Sequence, residues 1–304
     1  YLARLNGDHG ILQFAAATAS VLERSGSVSL NVTRSSGSSG GVTVNFGTTN
    51  GTATAGSDFV ATNGTLTFNP GVTNQALVIT ILNDTAVEGN ETFTLGLQGI
   101  VGGSLGATTT ATVTIVDDDS TLQFSVPATN ILENLGTLVL TVDRVGVIDT
   151  TVTLPFGSVD GTATNGTDYT GVTNTLTFDT NVASQTISIP ILNDQVEETT
   201  ETFTVVLGTP AGEASLGTNI STLVTVLDND STLTFSANAV TVFESDGSVT
   251  LTVDRTGYTN NVVLANFTTL AGTALAGSDF LATNGTLTFG LGLISTNITV
   301  QLVN

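Results

Sequence analysis

The stretch NFGTTNGTATAGSDFVATNGTLTF at positions 45–68 returns as PFGSVDGTATNGTDYTGVTNTLTF at 155–178 and as NFTTLAGTALAGSDFLATNGTLTF at 266–289. A segment recurring three times with a period of about 110 residues makes the chain a tandem repeat, so the unit to be folded is the repeat. Upstream of each copy runs SVSLNVTR, TLVLTVDR or SVTLTVDR, ending on Arg34, Arg144 and Arg255. Downstream, ITILNDTAVEGNETFTL (79–95) is matched by IPILNDQVEETTETFTV (189–205), and ATVTIVDDDSTLQF (111–124) by TLVTVLDNDSTLTF (222–235). The third copy reaches Asn304 before these last two segments, and DHGILQF (8–14) resembles the later junctions, so Asp8 reads as the closing acid of an earlier copy. The expected division is 1–9 as the end of a preceding repeat or linker, then repeats over 10–119, 120–230 and 231–304, the last incomplete.

Apolar residues alternate within each copy: Val28, Leu30, Val32; Val42, Val44, Phe46; Leu66, Phe68; Leu77, Ile79, Ile81; Phe93, Leu95, Leu97. Period two with polar partners predicts half-buried strands. Turns such as SSGSSGG (35–41) separate them. The fold class expected is all-β, as tandem immunoglobulin-like antiparallel β-sandwiches of about seven strands each. The glycine of each GTA triplet, Gly51, Gly161 and Gly272, is expected to supply a positive φ in a tight turn.

Across its 304 residues the chain has 10% charged residues, a net charge of −21 with five Lys plus Arg, and no Cys. That balance repels phosphate backbones and anionic lipids, so no nucleic-acid partner and no direct membrane insertion are expected, and cations are the natural partners. Despite 40% hydrophobic residues, no apolar run approaches the roughly 18–20 residues of a spanning helix. GSSGG (37–41) satisfies G-x-S-x-G but has no following helix, and no Trp is present to line a sugar-cleaving groove, so no enzyme is expected.

In a chain so poor in charge, acids concentrate at equivalent positions. They are Glu23, Asp58, Asp84, Glu88, Glu91 and Asp117, Asp118 and Asp119 in the first copy, and Glu133, Asp168, Asp194, Glu198, Glu201, Asp228 and Asp230 in the second. The third retains Glu244 and Asp279. Three consecutive aspartates at a strand end repel one another, and no Lys or Arg close in sequence is expected to neutralise them. Hard divalent cations answer this: Ca²⁺ takes six to eight oxygens in flexible geometry, whereas zinc and copper favour the His and Cys ligands that are scarce here. Neither an EF-hand loop nor a GGxGxD array occurs, so the site must come from distant loops.

The combination GTA-x-x-G-[ST]-D-[FY], N-D-x-x-x-E-x-x-E-x-F and a closing D-[DN]-D resembles the Calx-beta domain of sodium–calcium exchangers, an integrin subunit and bacterial surface proteins. The resemblance implies Glu23, Asp58, Asp84, Glu88 and Asp117, Asp118 and Asp119 as calcium ligands, with Ala86 giving a backbone carbonyl. In the second copy it implies Glu133, Asp168, Asp194, Glu198, Asp228 and Asp230, and in the third Glu244 and Asp279. Asn83, Asn193 and Asn229 depart from the family's acids, so fewer or weaker ions are expected, above all in the second copy. With Asp119 and Asp230 just before the next copies, calcium is expected at the joints between sandwiches.

The resulting expectation is an extracellular or cell-surface array, a stalk or fibre stiffened by Ca²⁺, partnered by neighbouring repeats or other copies through strand complementation and by a surface glycan or protein ligand. Sequons such as Asn31, Asn50 and Asn165 accord with secretion or simply with abundant Asn and Thr. The alternative is the regulatory calcium sensor of a transporter, in which ion binding changes the angle between domains.

Overall fold

The computed structural model describes residues 9–304, so the junction acid Asp8 and most of the 1–9 segment lie outside the described residues. The first copy folds as β1 (Ile11–Phe14), β2 (Thr18–Leu22), β3 (Ser27–Ser35), β4 (Val42–Asn50), β5 (Asn63–Phe68), β6 (Asn74–Thr80), β7 (Glu91–Val101), β8 (Ser104–Leu105) and β9 (Thr110–Val116). Two sheets, β6-β3-β1-β8 and β2-β9-β7-β4-β5, face each other across the alternating apolar residues. Nine strands appear where about seven were expected, because the leading segment divides into β1 and β2 and the two-residue β8 adds an edge strand. Ala15 N–H still donates to Asn31 beside β1, while the carbonyl of Ala17 accepts from Thr112 of the opposite sheet. The chain thus changes sheet between them, and it pairs parallel there: β2 with β9, and β1 with the two-residue β8. The sheets are therefore mixed, not purely antiparallel.

The second copy repeats the plan with β10 (Ser120–Phe124), β11 (Ala128–Leu132), β12 (Thr137–Gly146), β13 (Val152–Asp160), β14 (Thr173–Phe178), β15 (Ser184–Pro190), β16 (Glu201–Leu207), β17 (Ser215–Leu216) and β18 (Ser221–Leu227). Its sheets are ordered β15-β12-β10-β17 and β11-β18-β16-β13-β14. The third carries β19 (Leu233–Phe235), β20 (Ser248–Arg255), β21 (Val263–Thr268), β22 (Asn284–Phe289) and β23 (Ser295–Gln301), in sheets β19-β20-β23 and β21-β22. Where β4 is flanked by β5 and β7, its counterpart β21 pairs with β22 alone. The core there contracts to Val253, Leu287, Phe289, Ile298 and Val300 with partly buried neighbours.

The recurrent arginines are buried fasteners. Arg34 donates to the carbonyls of His9 (2.8 Å) and Gly40 (2.6 Å), and Arg144 to Ser120 Oγ (2.9 Å) and the carbonyl of Thr150 (2.7 Å). Each guanidinium thereby ties the entry of its sandwich to the loop after the strand that carries it. The glycine expectation does not hold: Gly51 and Gly161, like Gly272, have no positive φ. A Cβ on either would lie 2.3 Å from the carbonyl oxygen of Thr92 or Thr202, so close backbone approach excludes a side chain. The left-handed residue of the motif is the next glycine, Gly56, Gly166 or Gly277, with φ of 99°, 93° and 87°.

Candidate metal centres at the joints

Strand register delivers the acids to one end of each sandwich. β2 runs parallel to β9 with Leu22 opposite Val116, so the residues that follow, Glu23 and Asp117, leave the sheet side by side. Leu132 opposite Leu227 does the same for Glu133 and Asp228. The loop carrying Asp84 and Glu88 leaves β6 at that end, because Thr80 pairs with Ser27 at the start of β3.

The D-[FY] and E-x-F pieces are brought together by a ring stack. Phe59 and Phe93 are fully buried and stack with centroids 4.1 Å apart; Tyr169 and Phe203 repeat this at 3.9 Å. Glu91 shares a strand face with Phe93, since residues two apart point the same way. Asp58 precedes Phe59, so the stack sets Asp58 beside Glu91. Asp58 is held in turn by the N–H of Thr54, 2.5 Å from its carboxylate.

Two carboxylate groups result in the first copy, Glu23–Asp84–Asp119 and Asp58–Glu88–Glu91, each with ligand oxygens within 4.8 Å of one another. Glu23 also accepts the N–H of Asp84 at 2.8 Å, and Asp84 accepts that of Ala86 at 2.7 Å. Asp117 sits behind them as a loop holder, accepting from the N–H groups of Gly89 (3.0 Å) and Asp119 (3.1 Å). The second copy groups Glu133–Asp228–Asp230 and Asp168–Glu198–Glu201. Asp194 is not among them and holds Val196 N–H at 2.7 Å. Asp228 accepts from the N–H groups of Glu198 and Asp230, and Asp168 from that of Thr164. In the third copy Glu244 is exposed and Asp279 accepts from Leu275 N–H at 2.6 Å. Neither belongs to a carboxylate group among the described residues.

Three residues were missed as site members. Glu91 and Glu201 recur with the other acids, and their spacing from the stacked phenylalanines was the available signal. Glu213 has no recurrence to reveal it. It lies in the loop before β17, reaches back across the joint, and groups with Asp118 and Asp119. The expectation that no basic residue is near also fails. Arg24, the neighbour of Glu23, places its guanidinium 3.0 Å from Asp118 and holds Asp149 of the second sandwich with two hydrogen bonds, 3.2 and 3.0 Å. The aspartate run has no basic residue beside it along the chain, whereas the parallel β2–β9 pair brings Arg24 to it.

The electrostatics show what remains uncompensated. Asp118 and Asp119 are fully buried, and neither oxygen of Asp119 has a hydrogen-bond donor. Burial, with the charges of Glu23, Glu213, Asp117 and Asp118, pushes the Asp119 carboxyl up to about 7. Burial and a shared hydrogen bond with Asp230 push Glu133 to about 7 as well. Burial also raises Glu88 and Glu91, and the neighbouring Asp84 and Asp58 raise them further. A buried carboxylate without donors is costly unless a cation faces it. An all-oxygen donor set with orphaned lone pairs suits a hard divalent ion.

A model of the Calx-beta domain family matches residues 6–119, 117–230 and 228–304. The chain is 32% identical over 219 residues to sodium/calcium exchanger 1 of Canis lupus familiaris, covering 65% of this chain and 23% of that protein. It is 34% identical over 193 residues to sodium/calcium exchanger Calx of Drosophila melanogaster, covering 62% and 20%. The chain thus spans under a quarter of these relatives' length. It is 31% identical over 293 residues to adhesion G-protein coupled receptor V1 of Danio rerio, covering 88% and 5%. Among solved structures it is similar to calcium binding domain CBD12 of CALX1.1, at 28% identity and TM-score 0.39, covering 70% of this chain and 98% of that one. The exchangers overturn the expected extracellular or cell-surface placement, because in them the matching stretch is part of an ion transporter and not of a secreted fibre. With the family match running through all three successive copies, the chain belongs to the Calx-beta domain family.

Proposed function

We propose that the chain is a calcium-binding regulatory tandem whose ions sit at the joints, so that occupancy sets how firmly adjoining sandwiches hold to each other. The observation that carries this is Asp119, buried with both carboxylate oxygens lacking donors at the end of the first sandwich, beside Glu23 and Asp84. In the first copy Glu23, Asp84 and Asp119 would hold one ion, and Asp58, Glu88 and Glu91 another. Bound Ca²⁺ supplies the positive charge these groups lack. The protein's own contribution is to fix the carboxylates: Asp117 pins the Gly89 loop, and the Phe59–Phe93 stack sets Asp58 against Glu91. The second copy offers its own groups with Asn229 in place of the middle acid, and weaker binding is expected there. By similarity to the exchangers, the setting is a transporter's regulatory region, where calcium changes the relation between domains.

Thermal melts with chelator and with millimolar calcium test this. Ligand at a hundred times its Kd adds about 2.7 kcal/mol to the folded state. A clear rise in Tm that Asp58→Asn plus Asp119→Asn abolishes in the first sandwich supports the reading. Identical melts with and without calcium would reduce the acids to solvated loop ends.

A further inference from the structure

The group Asp118–Asp119–Glu213 differs from the others because its members belong to two sandwiches. Asp118 and Asp119 close the first, and Glu213 sits in the β16–β17 loop of the second. One oxygen from each lies within 4.8 Å of the others. Ligands on opposite sides of one Ca²⁺, each about 2.4 Å away, are separated by about that distance.

Glu213 is held in place by its surroundings. Its carbonyl accepts from Ser120 Oγ at 3.0 Å, and that hydroxyl in turn accepts from the buried Arg144 at 2.9 Å. Its carboxylate accepts from Asn83 Nδ2 of the first sandwich at 3.2 Å. The next residue, Ala214, is buried in the second core. Asp119 offers the second observation: it is fully buried and neither oxygen has a donor. Arg24 compensates Asp118 only, and it is shared with Asp149.

We propose that Asp118, Asp119 and Glu213 form a divalent-cation site shared between the first and second sandwiches, completed only when the two are docked. Asp119 is common to this site and to the Glu23–Asp84–Asp119 group, so filling one side of its carboxylate orients the other. The first site belongs to one sandwich, while the shared site makes docking itself depend on the ion. The corresponding position in the first copy is Gly102, counted back from Ser104 as Glu213 is from Ser215, so the ligand is particular to the second sandwich.

This inference rests on the calcium reading, and calorimetric titration of the full chain with calcium chloride separates the two. Glu213→Gln keeps the side-chain length, an acceptor for Asn83 and the main-chain carbonyl bonded to Ser120. It is expected to lose one bound ion per chain or to weaken one class of sites by about tenfold or more, the scale on which changes around a bound metal act. Its calcium-free melt should be no lower than that of the parent, because a like charge beside Asp119 is removed, whereas a merely structural role for Glu213 would lower it. A variant that binds as many ions as tightly as the parent overturns the shared site and leaves the proposed function intact. A parent that takes up no calcium overturns both.

Discussion

At the first joint Arg24 reaches Asp118 in its own sandwich and Asp149 in the next. At the second, the same three repeat positions hold Asn134, Asn229 and Asn260. A fully charged triad has become a fully neutral one, within repeats that otherwise share register and core. The second joint is fastened by other means. Glu197 accepts from Thr256 Oγ1 at 2.7 Å and Thr232 N–H at 3.1 Å, which holds its carboxyl below the usual range. Asn229 accepts from Asn134 N–H at 3.0 Å, and its carbonyl accepts from Asn261 Nδ2 at 3.3 Å. The fold therefore fixes where a joint lies, while a handful of loop residues decides whether charged or neutral side chains hold it. Charged contacts weaken with salt and compete with metals; amide and hydroxyl contacts do so far less.

The largest effect tests what the two ends share. Phe93→Ala and Phe203→Ala each remove half of a buried ring stack, and each should cost about 3–5 kcal/mol. Beyond stability, each should weaken the calcium response of its own copy alone, because Asp58 and Glu91, or Asp168 and Glu201, lose the stack that brings them together while the other carboxylate group of that copy is left in place. Calorimetry that resolves the two sandwiches reads both effects. Loss of calcium response in the untouched copy would show that the copies do not carry separate sites.

Acidity comes next, and it acts on both joints. Asp119 and Glu133 both titrate near 7 in the folded chain, well above the values of about 4 expected when unfolded. A raised folded pKa means that the folded state holds more protons, so this contribution is full below pH 4 and is lost as pH rises through 7. Without calcium the chain should therefore melt lower at pH 8 than at pH 5.5, by on the order of 2 kcal/mol. Millimolar calcium should remove or reverse that slope. A calcium-free melt that rises with pH would contradict the uncompensated charge at both joints.

These contrasts mark how far the residues alone could be read. Alternation placed the strands, and repetition placed every acid that repeats, because a periodic signal survives without knowledge of pairing. What escaped was whatever depended on pairing across the chain. The switch of sheets at Ala15–Ala17 separates β1 from β2 and makes the pair with β9 parallel. That pairing alone brings Arg24 to Asp118, 94 positions away in sequence yet 3.0 Å away in space. Glu213 escaped for the complementary reason: it occurs once, so comparing copies discards it. The glycine of the GTA triplet was legible as a requirement but not as a cause, since only the strand beside it shows the carbonyl of Thr92 where a Cβ would go.

The smallest effect separates the two arms of the Arg24 contact. Asp118 is fully buried, whereas Asp149 has 46% of its side chain exposed, so one guanidinium makes one sheltered and one wet ion pair. Asp149→Asn, which copies the residue at the corresponding place in the second joint, should cost roughly 0.2–1 kcal/mol, and high salt should erase the difference. Arg24→Asn removes both arms and strands the buried Asp118, so it should cost more, about 1–3 kcal/mol, and retain most of that in salt. Calcium discriminates further. A divalent ion beside Asp118 supplies the charge that Arg24 gave, so calcium should recover more of the loss in Arg24→Asn than in Asp149→Asn. Equal losses in the two variants, equally screened by salt, would mean that the burial of Asp118 plays no part and that the first joint differs from the second only by one surface ion pair.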